Sequence, residues 1–332
     1  MIKYKRPVDR AMADGRMEKK TVRALWVDKV KAVARTHPNC NEPWFLTLSG
    51  AEGHDIQLLI EEGLVKLTEV NSIADKDKNK IVAVENSTVA VATLQRKFIG
   101  LRIKEVDFAS LVRGEGFFSW PQGDDEVCCR AHVVNLDLDT PLKALNCDGS
   151  VVFPVVAWIK KLCLLHGRPQ HTDWILCLTL HGEVIWTEDI NQWTKTFLRE
   201  NFQREPNFSK DCNNFFGPEL YGIINGDDDI DFTRLESIDQ QKFIMVMVPK
   251  LIANYVHNDG WYVHTEHCLR YGGDGSHAPM VTWIVRFAWD GTAAAAPDSL
   301  YRTALNNILS GAGIVKNDGS IAQFKGRRVE KT

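Results

Sequence analysis

Short apolar runs alternate with segments of helical periodicity through the middle of this chain. The runs that are apolar enough to form strands cover residues 44–48, 81–85, 100–107, 131–139 and 174–180. Between them, apolar residues recur at the three- and four-residue spacing of amphipathic helices. Strands that are apolar throughout are buried on both faces, so this order predicts a parallel sheet with helical crossover connections.

The pattern changes after residue 186. Residues 186–250 are rich in polar and aromatic side chains, and we interpret them as an insertion that is helical in parts. Two further strands, WYVHTEHCLRY and MVTWIVRFAW, follow and are separated by the glycine-rich segment GGDGSHAP. Strands joined by a tight turn are antiparallel neighbours, which predicts an α/β protein whose mostly parallel sheet closes with an antiparallel hairpin.

This pattern divides the chain into three parts. Residues 1–40 are predicted to be a basic helical extension, because helical spacing runs through most of them and stops at His37-Pro38. Residues 41–290 would form the α/β domain and include the insertion. Residues 291–332 are interpreted as a C-terminal helix followed by a basic tail.

Composition places the chain among soluble globular proteins. Of its 332 residues, 44% are hydrophobic and 25% are charged, which is enough apolar material for a large core. No apolar run approaches the roughly 20 residues of a membrane-spanning helix, and the N-terminus lacks the apolar segment of a signal peptide. Eight cysteines are scattered without a C-x-x-C pair, so buried reduced thiols are favoured over a metal site. We therefore expect a cytoplasmic protein with no membrane segment and no bound metal.

Positive charge is concentrated at both ends of the chain, although the formal net charge is −3. The first 35 residues contain eleven Lys and Arg against four Asp and Glu, and the last eight residues contain four Lys and Arg. Basic ends of this kind can bind a phosphate backbone with release of counterions. A solvated basic helix has the same composition, so this feature alone leaves nucleic-acid binding and simple solvation open.

Candidate functional residues lie where the predicted strands end, because open parallel sheets bind ligands beyond the carboxyl ends of their strands. They are Ser49, Gly50 and Gly53 in the first turn, Glu85 after the second strand, Asp107 after the third, and Asn135, Asp137 and Asp139 in the fourth. The glycines let backbone amides approach a ligand at a helix N-terminus, although an ordinary strand-to-helix turn uses the same residues. Glu85 is an acceptor-only group placed to bind both hydroxyls of a ribose, although a solvated strand end tolerates an acid equally well.

The order of these motifs resembles that of class I S-adenosylmethionine-dependent methyltransferases, which have a Rossmann-like sheet. The resemblance covers about residues 42–290 and rests on LTLSGAEG, AVE, VDFASLV, VVNLDLDTPL and the closing antiparallel hairpin. The hairpin is the most telling feature, since dehydrogenase-type sheets usually finish with a parallel strand. The resemblance implies a Rossmann-like, doubly wound α/β fold and S-adenosylmethionine as the cofactor.

The resemblance also implies how the cofactor would be held. The implied cofactor-binding residues are Ser49, Gly50, Gly53, Glu85, Asp107 and Phe108. The glycine-containing turn would lie under the methionine part, and the glutamate would hold the ribose. The aspartate, with the backbone of the phenylalanine that follows it, would bind the adenine amine.

The resemblance places catalysis on the fourth strand. Relatives that methylate the exocyclic amines of bases carry a D/N-P-P-Y type of motif there, and LDLDTPL matches it in part. Asp139 would accept the hydrogens of the amine, with Asp137 or Asn135 as substitutes.

Two functions remain open at this point. Glu85 and Asp107 favour an active methyltransferase that acts on nucleic acid, with the basic ends on the phosphate backbone. Thr47 and Ser49 stand where family members usually carry an acid and a denser glycine pattern, and they favour an inactive methyltransferase-like subunit. Such a subunit would bind or scaffold protein partners in a larger complex.

Overall fold

The computed structural model divides the chain into two compact units. It describes residues 17–36, 45–68, 72–78, 80–105, 131–147, 150–166, 173–226, 231–272, 278–289 and 311–323. The first unit is Met1–Leu138 with Lys161–Leu178, and the second is Asp139–Lys160 with Thr179–Thr332. Strands β4 and β7, defined below, contribute residues to both units.

Helices and strands alternate along residues 17–105, whereas four α-helices of the described residues follow one another within 188–256. The helices are α1 (Met17–Thr36), α2 (His54–Glu61), α3 (Thr88–Lys97), α4 (Pro154–His166), α5 (Glu188–Arg204), α6 (Pro206–Phe216), α7 (Pro218–Asn225) and α8 (Ser237–Val256). The strands are β1 (Phe45–Thr47), β2 (Ile81–Glu85), β3 (Arg102–Glu105), β4 (Val133–Leu142), β5 (Leu145–Cys147), β6 (Ser150–Val152), β7 (Trp174–Val184), β8 (Trp261–Tyr271), β9 (Met280–Trp289), β10 (Ala312–Val315) and β11 (Ile321–Gln323).

The central sheet is mostly parallel. Among the described residues, nine strands are hydrogen-bonded in the order β11-β10-β8-β9-β7-β4-β1-β2-β3, and β5 and β6 form a separate antiparallel pair. Strand β1 is parallel to both of its neighbours, β2 and β4, and β3 is parallel to β2. The predicted α/β class with a mostly parallel sheet is confirmed. The predicted antiparallel hairpin is present as β8 and β9.

The parallel strands of the first unit are apolar on both faces. Phe45 and Leu46 of β1 and Val82 and Ala83 of β2 are all buried, although successive residues of a strand point to opposite faces. Helix α2 follows β1 and helix α3 follows β2. These helices provide the crossover connections that parallel neighbours require.

Helix α1 contributes to the core of the first unit. Val22, Trp26 and Val30 follow one another at four-residue intervals and are buried together with Val27. This stripe packs the helix into the unit, where it contacts α2. The sequence pattern presented residues 1–40 as an extension, and the part of them that the structure describes belongs to a packed core.

A buried histidine closes helix α4. The ring of His166 stacks on Trp174 with the centroids 4.7 Å apart. Its Nδ1 and Nε2 atoms each lie 2.8 Å from a carbonyl oxygen, of Leu162 and Ala131 respectively. Burial lowers the pKa of His166, although both carbonyl contacts act in the opposite direction. The neutral ring is therefore favoured in the folded protein.

The second unit is organised around helix α8, which packs against β8 and β9. Helices α5, α6 and α7 lie within the predicted insertion at 186–250, and α8 begins inside it at Ser237. Residues from Phe243 to Ala253 of α8 are buried without interruption, as expected for a helix that is apolar on all sides. No helix within the described ranges combines the length and the apolar composition that a bilayer crossing requires.

A lysine is buried among the helices of the second unit. The Nζ atom of Lys250 donates a hydrogen bond to Asn201 Oδ1 at 3.0 Å and lies 4.7 Å from the centroid of the Phe208 ring. Burial lowers the pKa of Lys250 to about 7, against the opposing influence of Cys212 and Glu205. Near neutral pH this amine is therefore present in both protonation states.

The last two described strands were not anticipated from the sequence. Residues 291–332 were interpreted as a helix and a tail, whereas β10 pairs with β8 in parallel and β11 pairs with β10 in antiparallel orientation. A Cβ atom at Gly311 would lie 2.6 Å from the carbonyl oxygen of Glu266, so only glycine allows the chain to enter β10 this close to β8. Residues 290–310 and the basic residues after 323 lie outside the described residues.

Candidate functional site

The strand order reverses direction between β1 and β4. Strand β1 connects through α2 to β2 on one side and has β4 on the other side. Thr47 is level with Ala83 of β2 and with Asn135 of β4, and the Leu48 amide donates to the Asn135 carbonyl at 3.0 Å. The carboxyl ends of β1 and β2 therefore lie at the same edge, where open α/β sheets bind their ligands, and β4 continues past this level to Leu142.

The turn after β1 contains two glycines in the left-handed conformation, Gly50 with φ 57° and Gly53 with φ 60°. A Cβ atom at Gly53 would lie 2.5 Å from Cε2 of Phe98 and 2.9 Å from Cδ2 of Leu94, so this glycine lets the turn pack against α3. A Cβ atom at Gly50 would meet no atom within 4 Å. The structure gives Gly53 a packing role and leaves Gly50 open to a ligand.

Ser49 supplies a hydroxyl next to this open glycine. Its Oγ atom is buried and has no hydrogen-bond partner among the residues that the structure describes. A buried hydroxyl is stabilised by a partner, because burial removes its hydrogen bonds to water. Ser49 and Gly50 together offer polar contacts at the end of β1.

Glu85 ends β2 and has one carboxylate oxygen fixed by its own turn. Oε1 accepts hydrogen bonds from the amides of Asn86 at 2.9 Å and Ser87 at 3.0 Å, at the start of α3. Within the described residues, Oε2 accepts no hydrogen bond. The turn therefore sets the orientation of the carboxylate and leaves one acceptor for a ligand. Glu85 is level with Glu105 of β3, and the predicted adenine contacts Asp107 and Phe108 lie outside the described residues.

Sequence reasoning missed a buried polar cluster at the point where the strand order reverses. We call Arg23, Thr47, Asp55 and Asn135 the Asp55 cluster. Oδ2 of Asp55 accepts hydrogen bonds from Asn135 Nδ2 at 2.7 Å and from Thr47 Oγ1 at 3.3 Å, and Oδ1 pairs with Arg23 Nε at 3.0 Å. Burial raises the pKa of Asp55, and the nearby charge of Asp137 acts in the same direction, while Arg23 and Lys19 lower it.

One sequence signal could have identified Asp55. It lies one helical turn before Leu59 and directly before Ile56, and all three are buried. A carboxylate on the apolar face of a helix needs a partner, because burying an unpaired charge is costly. The sequence did not identify that partner, because Arg23 is 32 positions away along the chain.

Two of the predicted catalytic positions, Asn135 and Asp137, share one face of β4, because alternate residues of a strand point the same way. Asn135 is buried and belongs to the Asp55 cluster. The carboxylate of Asp137 is partly exposed, and its Oδ2 atom pairs with Lys19 Nζ at 3.4 Å. The side chain of Asp139, the first choice from the sequence, lies outside what the structure describes.

Basic residues of α1 bind carboxylates within the first unit. Lys19 and Arg23 are one helical turn apart and pair with Asp137 and Asp55. Nearer the other end of α1, Lys31 pairs with Glu62. These three cations were among those expected to bind a phosphate backbone. Their ion pairs reduce the positive charge that α1 offers to nucleic acid.

Comparison with protein-family models and with curated protein sequences gave no match. The function must therefore be argued from the chemistry of the site itself. The edge of the sheet offers an open glycine, a hydroxyl and an acceptor-only carboxylate oxygen, which suit a ligand rich in hydroxyl groups such as a nucleoside. No group of three metal-ligating side chains occurs among the described residues.

Proposed function

We propose that this chain is a Rossmann-like, S-adenosylmethionine-dependent methyltransferase that acts on the amine of a nucleic-acid base. The observation that carries the proposal is the strand order β3-β2-β1-β4-β7, followed by β9 and β8. Its first five strands follow the 3-2-1-4-5 order of doubly wound nucleotide-binding sheets. The antiparallel hairpin then stands where a dehydrogenase sheet usually has a parallel strand.

The arrangement of polar groups at the strand ends supports the cofactor assignment. Oε2 of Glu85 would accept hydrogen bonds from ribose hydroxyls, while Oε1 keeps the carboxylate in place through the turn amides. Ser49 and the open backbone at Gly50 would contact the methionine part. Asp107 and Phe108 keep the adenine role that the resemblance implies.

S-adenosylmethionine, when bound, supplies an electrophilic methyl group for attack by an amine nitrogen. Asp139 would hold the two amine hydrogens and direct the nitrogen lone pair towards that methyl group. It would also accept the proton that the nitrogen loses. Asp137 and Asn135 are the less favoured choices, because each already binds a side chain of the first unit.

Calorimetry with S-adenosylmethionine tests the cofactor assignment. We expect binding by the wild type, and we expect Glu85→Ala to weaken it by at least about tenfold, or about 1.4 kcal/mol. Glu105→Ala is the matched control, because Glu105 is level with Glu85 on the neighbouring strand. The absence of binding heat at millimolar cofactor, with the protein folded, contradicts the proposal.

Labelled cofactor incubated with pools of DNA, RNA and protein identifies the substrate. Label should enter nucleic acid with the wild type, and Asp139→Ala should abolish transfer while cofactor binding persists. Label in protein alone would overturn the nucleic-acid assignment.

A second candidate function is a methyltransferase-like binding or scaffolding subunit without activity. The ion pairs of α1 favour it, because Arg23 and Lys19 already occupy carboxylates at the edge where the cofactor would bind. Cofactor binding separates the two functions, since a pure scaffold has no need of it.

A further inference from the structure

A cavity lies at the carboxyl ends of β8 and β10 in the second unit. These two strands are parallel neighbours, and they end at Tyr271 and Val315 respectively. The cavity has a volume of about 490 Å³ and is lined by residues 270–272 and 314–318. Binding sites for small molecules occupy roughly 300–1,000 Å³, so this cavity has room for one. It contains none of the residues that the proposed function assigns.

Two cationic residues line this cavity, and they come from neighbouring strands. Arg270 of β8 is level with Ile314 of β10. Lys316 comes two residues after Ile314, directly after β10 ends, and is exposed. The parallel pairing of β8 with β10 therefore brings together two positive side chains that lie far apart in the sequence.

The guanidinium group of Arg270 is oriented by a buried side chain of α8. Its Nη1 atom donates a hydrogen bond to Gln241 Oε1 at 2.9 Å, and Gln241 is only 2% exposed. Gln241 in turn packs against β7, since a Cβ atom at Gly182 would lie 2.5 Å from Gln241 Cγ. The N–H donors of arginine form a rigid planar fork, so a hydrogen bond to one of them orients the whole group.

The charges that line the cavity favour an anion. Arg270 and Lys316 are positive, and among the described lining residues Asp318 is the one carboxylate. Asp318 is exposed, and its Oδ1 atom accepts hydrogen bonds from the amide and the hydroxyl of Ser320 at 2.8 and 2.7 Å. Burial lowers the pKa of Arg270, and the charge of Asp239 on α8 acts in the opposite direction. Asp239 is not one of the lining residues, so positive charge exceeds negative charge in the cavity itself.

We propose that this cavity binds the phosphate group of a small phosphorylated molecule, with Arg270 and Lys316 on the phosphate oxygens. The planar fork of an arginine matches two oxygens of a phosphate, and a lysine adds a second positive charge. The half-buried side chain of Ile314 offers an apolar contact to the rest of the ligand. A cavity of this volume is larger than a phosphate ion, so the ligand extends beyond its phosphate group. The site goes beyond the proposed function and does not depend on it.

Calorimetry with ribose 5-phosphate tests the site, and ribose is the matched ligand without the phosphate group. We expect the wild type to bind ribose 5-phosphate with a dissociation constant below about 1 mM, and to bind ribose at least about tenfold more weakly. Arg270→Gln should weaken the binding of ribose 5-phosphate by at least about tenfold, and Lys316→Gln by about fivefold because its exposed charge is partly screened.

Arg286→Gln is the matched control, because Arg286 is an exposed arginine of β9 that does not line the cavity. It should bind ribose 5-phosphate as tightly as the wild type. Arg270→Gln also alters the contact with buried Gln241, so Lys316→Gln decides the test if Arg270→Gln lowers the melting temperature.

The proposal is overturned if the folded wild type does not bind ribose 5-phosphate at about 10 mM, or if the Arg270 and Lys316 variants bind it as tightly as the wild type. Binding of a single-stranded oligonucleotide through these two residues, without binding of ribose 5-phosphate, would also overturn it in favour of a nucleic-acid contact. Each of these outcomes leaves the assignment of S-adenosylmethionine to the first unit unchanged.

Discussion

Replacement of Asp55 tests how the edge between β1 and β4 is held together. Asp55→Ala removes three hydrogen bonds to the carboxylate, from Arg23, Thr47 and Asn135. A bond to a charged group contributes about 2 kcal/mol and a neutral donor about 1 kcal/mol, while loss of a buried carboxylate offsets part of this. We expect Asp55→Ala to lower the free energy of unfolding by about 3 kcal/mol at neutral pH.

Asp55→Asn keeps the shape of the side chain and removes its charge. The remaining oxygen can still accept from Arg23, and rotation of the Asn135 amide presents an oxygen to the new NH₂ group. Because burial raises the pKa of Asp55, the charged form is less stable here than it is in water. We expect the loss with asparagine to be about 1 kcal/mol, well below that with alanine.

The stability difference between wild type and Asp55→Asn, followed as a function of pH, shows whether burial or the attraction of Arg23 dominates at Asp55. The pKa of Asp55 in the folded protein lies above its ordinary value of 3.8, so the folded state holds the proton more tightly than the unfolded state. The stability of the wild type relative to Asp55→Asn should therefore fall as the pH rises above about 4.

Urea unfolding followed by tryptophan fluorescence at a series of pH values measures this difference. A relative stability that rises with pH would refute the reasoning, since it would mean that the attraction of Arg23 outweighs the cost of burial. Equal losses in the alanine and asparagine variants would also contradict it.

Three further predictions concern packing and protonation. Gly53→Ala should destabilise the protein by about 3 kcal/mol, because residue 53 is left-handed and its new Cβ would clash with Phe98. Gly50→Ala should cost about 1 kcal/mol, because residue 50 is also left-handed but its Cβ would meet open space; equal effects in urea unfolding would argue against the packing role of Gly53. Burial lowers the pKa of His166, so the wild type should lose stability as the pH falls below about 6.5, and His166→Gln should remove this pH dependence. A wild type that gains stability relative to His166→Gln on acidification would contradict this prediction. Burial lowers the pKa of Lys250 to about 7, so the stability of the wild type relative to Lys250→Met should rise between pH 7 and 10.5 in thermal unfolding. A stability difference that does not change with pH would show that the buried amine keeps its proton.

Local patterns were sufficient for the strands and for the hairpin. The apolar runs at 44–48 and 81–85 contain β1 and β2, because a strand buried on both faces needs apolar residues at every position. Strands β8 and β9 were equally clear, since the glycine-rich segment between them predicts a hairpin. The third strand was predicted at 100–107, and β3 covers Arg102–Glu105 of it, while residues 106 and 107 lie outside the described residues.

The sequence was sufficient to locate the candidate site, but not to show what each of its residues contacts. The rule that ligands bind at the carboxyl ends of parallel strands selected Ser49, Gly50 and Glu85 without any knowledge of their contacts. It gave no means of separating Gly50, which faces open space, from Gly53, which packs on α3. Both glycines have positive φ, and only their neighbours in space distinguish them.

The sequence by itself determined the order and type of the elements and the edge at which polar residues gather, since hydrophobic periodicity acts over a few neighbouring residues. Only the tertiary structure decided that Asp55 meets Arg23 and Asn135, which are 32 and 80 positions away. It also decided that β10 pairs with β8. Such contacts depend on which buried charges and strand edges the folded chain brings together, and the physical interactions that select them act through space.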